Sequence, residues 1–354
     1  MIRLPFFNRD KPAFPDPRDF GFVELRGGGS RLVLVPSLGG RIVELDLAGR
    51  QWLWTSDIIP WAPGVDGASY VETADSGGFD ECFPTVGACR VPGWVRRFGG
   101  VEFPDHGELW AQSPDVDVRT SPEGQSAECT WRGVRMPYLF RRIARVDGHG
   151  RVHLDYSVHN QSSDRMPFIW SSHPLFPLTP DTRLVLQEGA RLRLFTRHGI
   201  DLGEPRSEHR WPIIRGSGKV HDFVVPWEIA KKYACKLFLD MPDGLVAMRE
   251  GDRELRFRFR PSEVTHLGVW INKRGWTPFR EEEPYCNIAI EPCIGAPDTL
   301  SDALGDWKSP AWIEAGGTRT WSLSIEASMV TVAADVAEDA HAAKDHPAAG
   351  GGPT

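Results

Sequence analysis

Apolar side chains recur at every second position along most of this chain, and that period restricts the fold more than any other feature. In residues 151–159 (RVHLDYSVH), Val152, Leu154, Tyr156 and Val158 fall on one face and polar groups on the other. Residues 184–186, 191–195, 255–259 and 321–325 repeat the pattern, and residues 31–35 and 42–47 are further β-rich runs. Successive side chains of a strand point to opposite faces of a sheet, so a period of two means strands with one face buried. Glycine and proline clusters separate the runs, among them Gly27-Gly28-Gly29, Pro92-Gly93, Gly99-Gly100 and Gly316-Gly317. Many short strands with such punctuation predict an all-β protein, a large antiparallel β-sandwich or a barrel. Helix is expected only near residues 226–232, as one turn or two.

No linker-like composition interrupts residues 22–328, so one domain is expected there. Residues 1–21 form a proline-rich N-terminal extension. Residues 329–354 are rich in Ala, Gly, Asp and His without an apolar pattern, the composition of a disordered tail.

The chain has 354 residues and a formal net charge of −7, with both signs dispersed. It lacks a basic stripe that would follow a phosphate backbone, which argues against a nucleic-acid partner. No apolar run is long enough to span a bilayer, and the N-terminus lacks the apolar core of a signal peptide. A cytoplasmic protein with no membrane partner is the expectation. Six cysteines without a C-x-x-C pair read as reduced thiols. The 14 tryptophans suit packing inside a sandwich, and some suit the C–H faces of a sugar ring.

Polar segments between the runs are the candidates for chemistry. Glu291 follows a strand-like run and precedes Pro292, so it falls near a strand end where partial burial would raise its carboxyl toward neutrality. A structural ion pair is the competing reading. His173 precedes a proline among apolar residues, and His106 precedes a glycine that permits a sharp turn. Imidazoles titrate near neutrality and can move protons, although each alone is more often structural. Arg41 offers a planar fork of donors. His153 and His159 share an exposed face, and Asp75, Asp80 and Glu81 lack the D-x-D-x-D-G spacing of a calcium loop. No Gly-rich phosphate loop or G-x-S-x-G elbow is present.

Taken in order, these segments resemble the aldose 1-epimerase (galactose mutarotase-like) family. Gly40-Arg41 fits its early turn, His106-Gly107 its His-Gly pair, and His173-Pro174-Leu175-Phe176 its His-Pro-aromatic motif. Glu291-Pro292, followed by Ala296-Pro297-Asp298, fits its C-terminal motif, and residues 314–321 fit its final turn and strand. The resemblance spans about residues 22–328. It implies a β-supersandwich with a cleft, Glu291 as general base and His173 as general acid. His106 and Arg41 would bind sugar hydroxyls or the ring oxygen. Asp222, before Phe223, is the nearest match to the family's sugar-binding aspartate, and Trp270 and Asn272 fall where cleft-lining residues are expected. The segment after His106-Gly107 reads Glu108-Leu109-Trp110 rather than the usual aromatic-then-arginine, and residues 78–84 resemble a less characterised branch, so the sugar stays open.

The implied reaction interconverts α and β anomers of a small-molecule sugar. A base takes the anomeric hydroxyl proton, an acid protonates the ring oxygen, the opened chain rotates, and closure reverses both transfers. It needs neither metal nor cofactor. A monomer or homodimer is the expectation. Two rivals remain: a carbohydrate-binding or regulatory protein without turnover, and a glycoside hydrolase or lyase drawing a carboxylate pair from Asp80, Glu81, Glu108 and Glu291.

Overall fold

A computed structural model describes residues 14–122, 124–241, 243–279 and 285–330. Two large antiparallel sheets dominate them, one of 13 strands and one of eight. The alternating runs become strands Ser30–Val35, Arg41–Leu47, Val152–Asn160, Arg191–His198, Arg253–Phe259 and Thr318–Met329. The run at 226–232 supplies only a 3-10 turn, Pro226–Glu228. The six cysteines are free. No described helix is long and apolar enough to cross a membrane. The expected tail lies almost wholly outside the described residues, as do residues 1–13 of the N-terminal extension; its later part forms a 3-10 turn, Pro17–Phe20, whose Phe20 packs on a small cluster of Val33, Val35, Leu38, Val43 and Trp61.

The sheets differ in how their strands are buried. Strand Val152–Asn160, in the eight-stranded sheet, alternates strictly between buried and half-exposed positions, so its outer face meets water. The middle of the larger sheet runs Phe79–Cys82, Trp170–Pro177, Cys286–Ile294, His266–Lys273 and Tyr233–Asp240, in that spatial order. These strands are buried on both faces. Ile288, Ile290, Val269, Ile271, Cys235 and Leu237 belong to the core between the sheets. Period-two alternation therefore sends Asn287, Glu291, Trp270, Lys236 and His173 to the opposite face. A one-residue slip would exchange the two sets. The apolar face fixes the register, with Gly268 opposite Glu291 and Lys236 opposite Trp270, and the polar face follows from it.

Between the sheets, aromatic rings interlock around a buried polar knot. Trp170, Tyr156 and Trp321 lie with ring centroids 4.9–5.4 Å apart. Glu81 of the larger sheet accepts hydrogen bonds from Arg142 (3.1 Å), Tyr156 (2.9 Å) and Trp170 (2.9 Å). Arg142 also donates to the Gly40 carbonyl oxygen at 2.5 Å and lies over Trp131. Part of the tryptophan-rich composition is spent in this core, where Trp52, Trp131, Trp170, Trp211 and Trp321 are buried.

Candidate functional site

A cavity of about 170 Å³ sits on the outer face of the central strands, and both His106 and His173 line it. Its volume lies below the roughly 300–1,000 Å³ of pockets for drug-sized ligands, so it suits a small ligand. Trp270 and Trp276 form one wall, edge to face with centroids 5.9 Å apart. Asp75, Asp105, Asp298, Lys236, Asn287 and Tyr285 contribute polar groups.

The His-Gly pair is a backbone requirement. His106 has φ of 60° and Gly107 has φ of 72°. A Cβ on Gly107 would stand 2.3 Å from the Phe83 carbonyl oxygen, so only glycine fits. The turn stacks the His106 ring on Tyr70, with centroids 3.8 Å apart and planes inclined by 15°. The His173 ring meets it edge to face at 5.0 Å. His106 Nδ1 is 3.0 Å from Asp105 Oδ1. Burial disfavours the charged ring, but Asp105 and Asp75 outweigh it and His106 is raised above its ordinary pKa. His173 moves the other way: burial, then His106, Lys236 and Arg41, hold it well below the usual imidazole range. The two rings are therefore shifted in opposite directions, His106 toward holding a proton and His173 toward losing it.

Glu291 lies beneath the cavity floor with no exposed surface. Its Oε2 accepts hydrogen bonds from Lys236 Nζ at 2.5 Å and Ser171 at 3.2 Å. Its Oε1 accepts none and stands 3.9 Å from His173 Nε2. Burial raises the carboxyl, with Lys236 opposing. Gly268 makes room for this pair, since a Cβ there would come within 3.1 Å of Glu291 Oε2 and 3.3 Å of Lys236 Cε. Lys236 also approaches Asp298 Oδ1 at 3.4 Å, and the carboxylates beside it raise its pKa against the effect of burial.

Of the residues singled out from sequence, His173, His106 and Trp270 line this cavity, and Glu291 lies behind His173, its Oε1 3.9 Å from Nε2. Arg41 stands one layer behind. It donates to Asp80 (2.7 Å) and to the Ala74 carbonyl oxygen (2.7 Å), while Tyr70 donates to Asp80 at 2.5 Å and carries His106. Asn272 is fully buried and binds the turn that follows its strand, donating to the Trp276 carbonyl oxygen and accepting from Gly275 and Trp276 amides. It thus positions Trp276 rather than lining the cleft. Asp222 is not brought to this cavity. It ends a strand at the far edge of the larger sheet and caps the Val224 amide at 3.0 Å, a local turn that fits its Asp-Phe sequence. Lys236, Asp298, Asp75 and Asn287 were not selected from sequence. Lys236 sits mid-strand among apolar residues (YACKLFLD) at an outward position, the strand's other charge, Asp240, lying at its end, and that was the available signal.

The carboxylates considered for a hydrolase pair have other partners. Glu81 is tied between the sheets, Asp80 holds Arg41 and Tyr70, and Glu108 accepts from Tyr138 and the Arg135 amide.

Burial pushes Asp75 up to about 6 from 3.8. The folded state then takes up a proton that the unfolded state does not hold between those values, so stability falls as pH rises through that window. Asp75→Asn removes the effect. Between pH 4 and 7 the wild type is expected to lose roughly 2–3 kcal/mol relative to the variant, at 1.36 kcal/mol per pKa unit. Urea unfolding at both pH values measures this, and parallel pH curves would contradict it.

No family model matches the chain, and no curated protein matches it in sequence. Its fold is similar to that of several solved structures. One is a protein of Synechocystis sp. PCC 6803, 15% identical with a TM-score of 0.61, aligned over 93% of this chain and 100% of that one. Another, from Escherichia coli K12, is provisionally named an aldose 1-epimerase; it is 17% identical, with 87% and 99% covered and a TM-score of 0.59. A galactose mutarotase related enzyme of Lactobacillus acidophilus is 14% identical, with 88% and 98% covered and a TM-score of 0.57. The architecture is that of galactose mutarotase-like proteins, an all-β fold of large antiparallel sheets.

Proposed function

We propose that this protein is an aldose 1-epimerase, interconverting the α and β anomers of a free monosaccharide in the cavity bounded by His106, His173, Trp270 and Trp276. The observation that carries the reading is the convergence on one small cavity of a carboxylate and two imidazoles of opposite protonation tendency. Acid–base catalysis of ring opening needs one group to take a proton while another gives one.

Glu291 serves as the base through Oε1, the oxygen that accepts no hydrogen bond; Lys236 and Ser171 orient the carboxyl through Oε2. The imidazole pair supplies the acid. Asp105 favours the protonated ring of His106, so the acid role falls to His106, and His173, the expected acid, is shifted toward the neutral form and hydrogen-bonds the sugar. Trp270 and Trp276 offer the aromatic wall for the ring's C–H face.

Polarimetry on freshly dissolved α-glucose and α-galactose tests the activity, with acceleration of the approach to anomeric equilibrium as the expected result. His106→Gln should abolish the alkaline limb of the pH profile, while His173→Asn lowers the rate without removing that limb. Loss of the limb in His173→Asn alone would return the acid role to His173.

One observation favours a second reading, a sugar-binding protein without turnover. Glu291 is fully buried and locked to Lys236 at 2.5 Å. Saturable sugar binding with no acceleration of mutarotation on any bound sugar would select that reading.

A further inference from the structure

Among the described residues at this cavity, cationic groups are outnumbered. Asp75, Asp105 and Asp298 line it and Glu291 lies beneath, against Lys236 and the two histidines, of which His173 is held neutral. The cations are already shared. Lys236 stands 2.5 Å from Glu291 and 3.4 Å from Asp298. His106 is 3.0 Å from Asp105 and also feels Asp75. Arg41 behind the cavity is matched by Asp80 at 2.7 Å. Among the cavity atoms without a hydrogen-bond partner, the acceptors of Asp75, Asn287 and Asp298 stand beside the Tyr285 hydroxyl and one nitrogen of each imidazole, and the carboxylates carry the charge that nothing there fully balances. Asp75, 7% exposed, has an Oδ1 without a hydrogen-bond partner, and so does the Oδ1 of Asn287, 1% exposed; both side chains line the cavity. Buried acceptors left unpaired are costly and call for a donor from elsewhere. Trp270 and Trp276 add aromatic faces that attract a cation.

From this we infer that the site prefers a monosaccharide bearing an ammonium group, an amino sugar, over a neutral hexose, and rejects phosphorylated and acidic sugars. An ammonium supplies three donors and a positive charge to Asp75, Asp298 and Asn287. A phosphate or carboxylate would add charge of the sign already in excess. The inference rests on the same cavity as the proposed epimerase but not on its turnover.

Isothermal titration of the full chain at pH 7 with D-glucosamine, N-acetyl-D-glucosamine, D-glucose and D-glucose 6-phosphate tests it. Glucosamine should bind about tenfold tighter than glucose, the scale of one charge-assisted hydrogen bond in a partly buried site. N-acetylglucosamine, with the same skeleton and no charge, should lose that advantage, and glucose 6-phosphate should bind most weakly. The preference should shrink in 0.5 M salt and in Asp75→Asn or Asp298→Asn, each of which keeps side-chain shape. Equal or weaker binding of glucosamine, tightest binding of the phosphate, or no binding of any of the four overturns the inference. Polarimetry separates the two proposals. Accelerated mutarotation of glucose without an ammonium preference removes this inference and leaves the epimerase, and preference without turnover does the reverse.

Discussion

Replacing Glu291 with glutamine is expected to lower mutarotase turnover by about 10²-fold or more, the usual scale of general acid–base catalysis. The amide keeps the shape of the side chain, and its oxygen can still accept from Lys236 and Ser171, the two donors that hold Oε2. What it cannot do is take the anomeric proton. The effect should therefore appear in kcat with little change in sugar affinity, the pattern of an interaction made only in the transition state. His106→Gln combined with Glu291→Gln should be little worse than either alone, because residues acting as one unit are not additive. Full activity in Glu291→Gln on every sugar that binds would sink the epimerase mechanism and leave the binding-protein reading in its place.

The largest stability effect is expected from Arg142, on the other side of the central sheet. Arg142 and Glu81 are both fully buried, the former on the smaller sheet and the latter on the larger, so their contact at 3.1 Å pins one layer to the other. Burial raises the Glu81 carboxyl while Arg142, Trp170 and Tyr156 stabilise its charged form. Arg142→Met leaves that carboxylate in the core with only two neutral donors, and breaking a buried pair in this way costs about 3–5 kcal/mol. Arg142→Met combined with Glu81→Leu should recover most of the loss, since replacing both partners by apolar groups is often neutral. Urea midpoints of the three proteins decide the matter. A single-variant cost under about 1 kcal/mol, or a double variant as weak as the single, would show that the pair does not hold the sheets together.

Much of the fold was legible because its signals are local. Alternation in residues 151–159 marks a strand whose outer face meets water, and Val152–Asn160 has that burial pattern. The central strands were harder to read. They are covered on both faces, so Trp170–Pro177 and Cys286–Ile294 show buried runs rather than alternation. The His106-Gly107 pair stood out because a left-handed turn pressed against Phe83 admits only glycine at its second position. Asp222 failed as a site residue because an Asp-Phe dipeptide is a weak signal; the same aspartate serves a local turn at a sheet edge. Asn272 likewise carried a plausible residue type, but its amide is consumed by the backbone that presents Trp276.

The sequence by itself determined the all-β class and the strands whose outer face meets water, because side-chain periodicity and backbone sterics are properties of short segments; that Glu291, His173 and His106 share one region was an expectation carried by the family resemblance. It could not say which groups share a charge. Lys236 and Glu291 are 55 positions apart and meet because their strands flank His266–Lys273 on the same face, where Gly268 leaves the gap between them open. Protonation is decided there too. Asp105 and Asp75 draw the proton to His106, while burial beside Lys236 and Arg41 keeps it off His173, and distance in space, not in sequence, sets those interactions.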